Sequence, residues 1–86
     1  MKVSITKTAK KSLEKLDNTI QKRILDFLSD LETLENPRIK GKSLKSELKE
    51  YWRYRVGDYR ILSKIIDNEL IILVIDIGHR KNIYND

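Results

Sequence analysis

The segment Leu70–Ile77, LIILVIDI, constrains what this chain can fold into more than any other stretch. It is rich in β-branched residues and lacks the polar–apolar alternation of a half-exposed strand. Such a run is expected to form a central strand covered on both faces. Its apolar core, Leu70 to Ile75, is far shorter than the roughly 20 residues that cross a membrane. A buried strand needs neighbours at both edges and a layer packed on its face, so the rest of the chain must supply them. Asp67-Asn68-Glu69 reads as the turn that introduces it and Gly78 as the residue that breaks it.

The neighbours can be found by periodicity. Lys2 to Thr6 alternates, with Val3 and Ile5 on one side, as a short half-buried strand does. A helix follows from about Thr8 to Leu16, with Ala9, Leu13 and Leu16 on one face. A second helix starts at Asp17 or Asn18, either of which can cap it. It carries Ile20, Ile24, Phe27, Leu28, Leu31 and Leu34 as one stripe. The tight connection makes the two helices a hairpin, and Asn36-Pro37 stops the second. Arg38 to Leu48 has weak periodicity and reads as a basic loop with a short helical turn near Ser43 to Leu48. Tyr51 to Val56 alternates again, with Trp52, Tyr54 and Val56 on one side and Tyr51, Arg53 and Arg55 on the other. Gly57-Asp58 signals a hairpin turn into a strand from Tyr59 to Asp67. The order is β-α-α-β-β-β. This predicts an α+β fold: an N-terminal strand, a helical hairpin, and an antiparallel three-stranded meander. The first strand is placed beside Leu70–Ile77, with the helices on one face of the sheet.

The 86 residues suffice for one domain, taken here as 1–86, with no second core. No cysteine is present, so disulfides and thiolate metal sites are excluded. Met1 leads straight into Lys2-Val3-Ser4-Ile5 rather than an apolar leader, so a cytoplasmic protein without signal peptide or membrane segment is expected. The net charge of +5 is unevenly spread. Residues 1–37 hold 7 basic and 6 acidic side chains, whereas residues 38–60 hold 8 and 3. A polyanion partner and a merely solvated basic face both account for that excess.

If Trp52, Tyr54 and Val56 face the helices, Arg53 and Arg55 face away, and the Gly57-Asp58 turn brings Arg60 near them. Arg80 and Tyr84 follow the central strand. Several guanidiniums would then share an open sheet face with a phenol nearby. Arginine suits phosphate, because its planar fork binds in a bidentate way and stays charged. Each residue also has a plainer account. Arg53 and Arg55 could be solvated strand residues, Arg60 could pair with Asp58 or Asp76, and Tyr84 could be a frayed terminal residue. His79 is the only histidine, so a two-histidine ribonuclease mechanism is excluded, and a structural role is its simplest account. There is no Gly-rich phosphate loop, Cys/His cluster or HExxH sequence, and no metal or other cofactor is expected.

The segment Tyr51-Trp52-Arg53-Tyr54-Arg55-Val56-Gly57-Asp58-Tyr59-Arg60-Ile61 closely resembles the central signature of RelE/ParE-superfamily toxins. Arg38 to Leu44, RIKGKSL, resembles the family's basic loop, and Ile77 to Tyr84 its C-terminal signature. The resemblance spans nearly the whole chain and implies the microbial-RNase-like RelE fold. It is nearest to the RelE-like messenger-RNA interferases, including the YoeB and HigB types, whose short C-terminal ends are similar to this one. It implies a toxin of a toxin–antitoxin system that cuts mRNA in the ribosomal A site without a metal. The ParE branch, which inhibits DNA gyrase without nuclease chemistry, is the alternative. The implied catalytic set is Arg60, Arg80 and Tyr84, with His79 as a second acid–base candidate. Arg53, Arg55, Lys40, Lys42, Lys45 and Lys81 are the implied RNA-binding residues. Arg53 and Arg55 stand where well-known members carry lysines; a guanidinium is a poor proton acceptor, so here they would supply charge. The implied partners are the ribosome with its mRNA and a small, acidic, RelB-like antitoxin in a hetero-oligomer.

Overall fold

The computed structural model describes residues 1–79. The apolar run forms strand β5 (Ile71–His79), which lies second in a five-stranded sheet of order β1-β5-β4-β3-β2. On one side it pairs in parallel with β1 (Lys2–Ile5), and on the other antiparallel with β4 (Tyr59–Ile66). Its face toward the helices is fully covered, with Ile72, Val74 and Ile77 buried. Ile71, Leu73 and Ile75 on the rest of the strand are only half-buried, so cover is one-sided where two-sided cover was expected. A register shift explains the Val74-to-Ile77 spacing. Leu62 pairs with Asp76 but Ser63 with Val74, so β5 carries one extra residue there. Gly78 does not break the strand; it continues to His79, with Gly78 paired to Arg60. Leu70 belongs to the preceding turn, at φ 55°, and is exposed.

The helices are where the periodicity put them, with shifted ends. Helix α1 (Lys7–Glu14) starts one residue earlier than the pattern suggests, because the Thr6 hydroxyl caps it by accepting from the Ala9 amide at 3.1 Å. Helix α2 (Asn18–Leu31) is capped by Asp17, whose carboxylate accepts from the Thr19 and Ile20 amides at 2.9 and 3.3 Å. It ends at Leu31 rather than at Pro37. The Glu32, Thr33 and Leu34 amides each bond three residues back, a tighter turn that still delivers Leu34 to the core. The buried core joins Ala9 and Leu13 of α1 and Ile24, Leu28 and Leu31 of α2 to Tyr54, Ile61, Ile72, Val74 and Ile77 of the sheet. Glu32 also protects the sheet's outer edge, accepting the Val3 amide at 2.7 Å.

The basic segment is more ordered than a loop. It forms a 3₁₀ turn (Pro37–Lys40), strand β2 (Gly41–Ser43), and a second 3₁₀ turn (Ser46–Leu48). β2 adds antiparallel to β3 (Tyr51–Val56), so the meander has four strands, β2 to β5, rather than three. Three residues are too few for alternation to show in sequence. Gly41 makes the pairing possible, because a Cβ there would collide with the Arg53 carbonyl oxygen and lie 2.8 and 2.9 Å from ring carbons of Tyr54 and Trp52.

A set of contacts fastens this edge. Tyr54 is buried, and its hydroxyl donates to the Pro37 carbonyl at 3.0 Å. Burial pushes that phenol up to about 12, so it stays protonated and keeps donating. Arg38 reaches the turn between β4 and β5 and donates to both Asp67 oxygens, at 2.9 and 2.8 Å. These hydrogen bonds raise Arg38 above its ordinary pKa and hold Asp67 below its own. The same guanidinium lies 5.8 Å from the Trp52 ring centroid, a cation–π contact.

Candidate functional site

The site follows from strand register. Tyr54 and Ile61 are paired across β3 and β4 and both point into the core. Their neighbours Arg53, Arg55 and Arg60 therefore point to the opposite face, which the helices leave open. Arg55 stands directly across from Arg60, and Lys42 directly across from Arg53. On the far side of Arg60, its partner Gly78 places no side chain at all. Like charges directly opposite one another on a sheet work against its pairing.

The edge strand turns the cations into a concave site. Lys40, Lys42, Arg53 and Arg55 line one cavity of about 210 Å³ together with Ile39 and Gly41. Four cations on one small cavity create a strongly positive potential, suited to phosphate. Lys45 is exposed beside the second 3₁₀ turn and does not line this cavity. Arg23 of α2, which the sequence reading passed over, places its guanidinium about 3.5 Å from where a Gly57 side chain would begin. Gly57 has φ +60° in the turn between Arg55 and Arg60, so Arg23 adds a cation at that end of the sheet. Nothing in the local sequence links residues 23 and 57; only tertiary folding brings them together.

His79 lies elsewhere. It pairs with Tyr59, whose ring it meets edge-on at 5.6 Å between centroids. Tyr59 packs against the core, so His79 sits on the helix side of the sheet. There it lines a groove with Ser12, Lys15 and Leu16 of the helical hairpin. Register thus separates His79 from Arg60. Asp76 is also turned toward the helices: its Oδ1 accepts from the Ser12 hydroxyl at 2.9 Å and the Ile77 amide at 2.8 Å. Arg80, Lys81 and Tyr84 lie outside the described residues. Among those described, no group of three or more His, Cys, Asp or Glu is placed to hold a metal. No described helix is long and apolar enough to cross a membrane.

Comparison with known proteins gives a consistent picture. The family model for the ParE toxin of type II toxin–antitoxin systems matches residues 3–84. Toxin RelG of Mycobacterium tuberculosis is 34% identical over 82 residues, covering 95% of this chain and 93% of that protein. The mRNA interferase toxin RelE of Escherichia coli is 31% identical over 74 residues, covering 85% and 76%. Among solved structures, the toxin–antitoxin complex RelBE2 from M. tuberculosis contains a chain that superposes with a TM-score of 0.82. The two are 32% identical, and the match covers 92% of this chain and 96% of that one.

Proposed function

The chain belongs to the RelE/ParE superfamily of toxin–antitoxin toxins, and from that premise we propose that it is a ribosome-dependent endoribonuclease that cuts mRNA in the A site. The observation that carries this reading is the Arg55–Arg60 pair on the open sheet face, with Arg53 and Lys42 beside it. It supports an anionic substrate, and an mRNA interferase is among the relatives that cover most of the chain.

RNA cleavage without a metal requires loss of the 2′-hydroxyl proton, charge stabilisation on the phosphorane, and a proton for the leaving 5′-oxygen. Arg60 and Arg80 take the second task by neutralising charge as it develops. Tyr84 takes the first, with Arg53 and Arg55 favouring its phenolate. An ordinary phenol has a pKa near 10 and is otherwise a weak base at neutral pH. The position of His79 across the sheet from Arg60 favours Tyr84 for this role. The departing 5′-oxygen takes its proton from water, with Arg80 neutralising its charge as the bond breaks, and the products are a 2′,3′-cyclic phosphate and a 5′-hydroxyl. Because these groups are modest acids and bases, most of the acceleration comes from the ribosome holding the RNA in line.

The partner is an acidic, RelB-like antitoxin whose charge complements the basic face, in keeping with the solved toxin–antitoxin complexes of similar fold. The function places the protein in the cytoplasm, as one domain spanning 1–86. The ParE description of the matching family model favours a second reading, gyrase inhibition.

Primer extension on programmed ribosomes separates the two. Cuts at the A-site codon, absent on free RNA and lost in an Arg80→Ala/Tyr84→Phe double variant, are expected. A folded, growth-inhibiting protein that leaves mRNA intact and blocks gyrase supercoiling would establish the second reading instead.

A further inference from the structure

Ile39 is the most exposed large apolar side chain among the described residues, at 69%, and it lines the cationic cavity. Its turn does not need it for packing: Pro37 is buried and Arg38 is held by Asp67, while Ile39 points outward. The cavity therefore offers one apolar wall among Lys40, Lys42, Arg53 and Arg55. A single water needs only about 10–15 Å³, so an open recess of about 210 Å³ is sized for a ligand group. A single-stranded nucleotide matches the pattern, because the face of its flat base suits an apolar wall and the phosphates on either side are anionic.

Arg55 fixes where that nucleotide sits. It stands opposite Arg60 and also lines the cavity, so the two sites are contiguous. β3 and β2 lie one and two strand spacings from β4, about 5 and 10 Å, so the cavity begins beside a phosphate held by Arg60 and extends to the reach of an adjacent nucleotide. We infer that this cavity is a subsite for the nucleotide next to the scissile phosphate, with its base on Ile39 and its phosphate on Lys42, Arg53 and Arg55.

The inference rests on the RNA-cleaving reading, and a binding cycle tests it without requiring cleavage. The probe is a programmed ribosome whose A-site codon carries 2′-deoxy residues, with an abasic residue placed at each codon-flanking position in turn. Binding of fluorescently labelled protein is measured for wild type, Ile39→Asn and Ile39→Leu; the side chain is exposed, so folding should be preserved, and circular dichroism checks it. At one position the abasic residue should weaken wild-type binding about fivefold, the worth of a partly buried apolar contact. Ile39→Asn should bind both ribosomes equally and weakly, and Ile39→Leu should restore the difference. Equal abasic effects in wild type and Ile39→Asn, or none in either, would overturn the subsite while leaving the nuclease reading intact if wild type still cuts unmodified mRNA. Loss of binding to an acidic apolar peptide, with RNA binding unchanged, would make Ile39 a protein anchor and overturn the subsite too. A wild type that neither binds programmed ribosomes nor cuts their mRNA would sink both readings.

Discussion

The two faces of this sheet obey different rules. On the face toward α1 and α2, three strands deliver buried apolar side chains into one core: Ile72, Val74 and Ile77 from β5, Ile61 from β4 and Tyr54 from β3. On the other face, β3 and β4 place Arg55 opposite Arg60, and β2 and β3 place Lys42 opposite Arg53. The first face stabilises the fold. The second carries like charges that folding alone would not select. A sequence period of two is what allows one strand to serve both ends without compromise.

Adjacent residues on β4 give the sharpest way to break this contrast. Ile61→Ala should cost about 3 kcal/mol, because Ile61 is fully buried and the helices close the space only in part. Arg60→Ala should change stability by less than about 1 kcal/mol. Its effect should fall on turnover, reducing ribosome-dependent cleavage about 100-fold, as expected for loss of one charge-stabilising group. Denaturant melts and single-turnover cleavage on both variants check the pair. If Arg60→Ala unfolds the protein, or cuts at the wild-type rate, the division between the faces fails.

The clamp at the sheet edge links the two faces, and its effects should be smaller. Arg38 and Asp67 are both partly solvated, so their pair is screened. Its hydrogen bonds hold Asp67 below the ordinary value of 3.8. A depressed carboxylate stabilises the fold above that ordinary value and loses its contribution as the pH falls through the folded one. Asp67→Asn should therefore melt earlier than wild type near neutrality, and the two melting curves should converge on acidification. Because Lys40 and Lys42 follow Arg38 on the same edge, the variant should also bind RNA more weakly, by a smaller factor than Lys42→Ala. A gap in melting temperature that persists in acid would show that Asp67 acts through something other than its charge.

The helix-covered face was the more legible in sequence. The stripe from Ile20 to Leu34 and the alternation at Tyr51 to Val56 carry their periods over enough residues to be read, and both reappear in the core. β2 was not legible, because three residues containing a glycine have no period; the signal lies in its partner, where Trp52 and Tyr54 leave room only for Gly41. The extra residue in β5 was hidden inside a uniformly apolar run, where a slip changes no pattern. At the site, the directions of Arg53, Arg55 and Arg60 followed from alternation. The placement of His79 did not, because a glycine reads as a strand breaker in sequence, whereas Gly78 lies within the strand that carries His79 beside Tyr59. Ile39 and Arg23 had no local signature, since their significance comes from what the fold brings near them.

The smallest predicted effect bears most directly on why the cationic face exists. Arg55 is exposed and stands directly opposite Arg60 in register, so two like charges share one rung of the sheet. Arg55→Gln keeps much of the side chain's length and removes one of those charges. It should raise stability by about 0.3–0.5 kcal/mol at low salt, the size of a cross-strand charge effect. The gain should shrink in concentrated salt, where the repulsion is already screened. RNA binding should move the other way, with weaker affinity and a salt dependence shallower by about one unit of slope, as for loss of one phosphate contact. Opposite signs for stability and binding would show that the arginine pair is kept for its ligand at the expense of the fold. A variant that loses stability and affinity together would instead make Arg55 part of the sheet's own packing, and the open face would then owe its charge to structure.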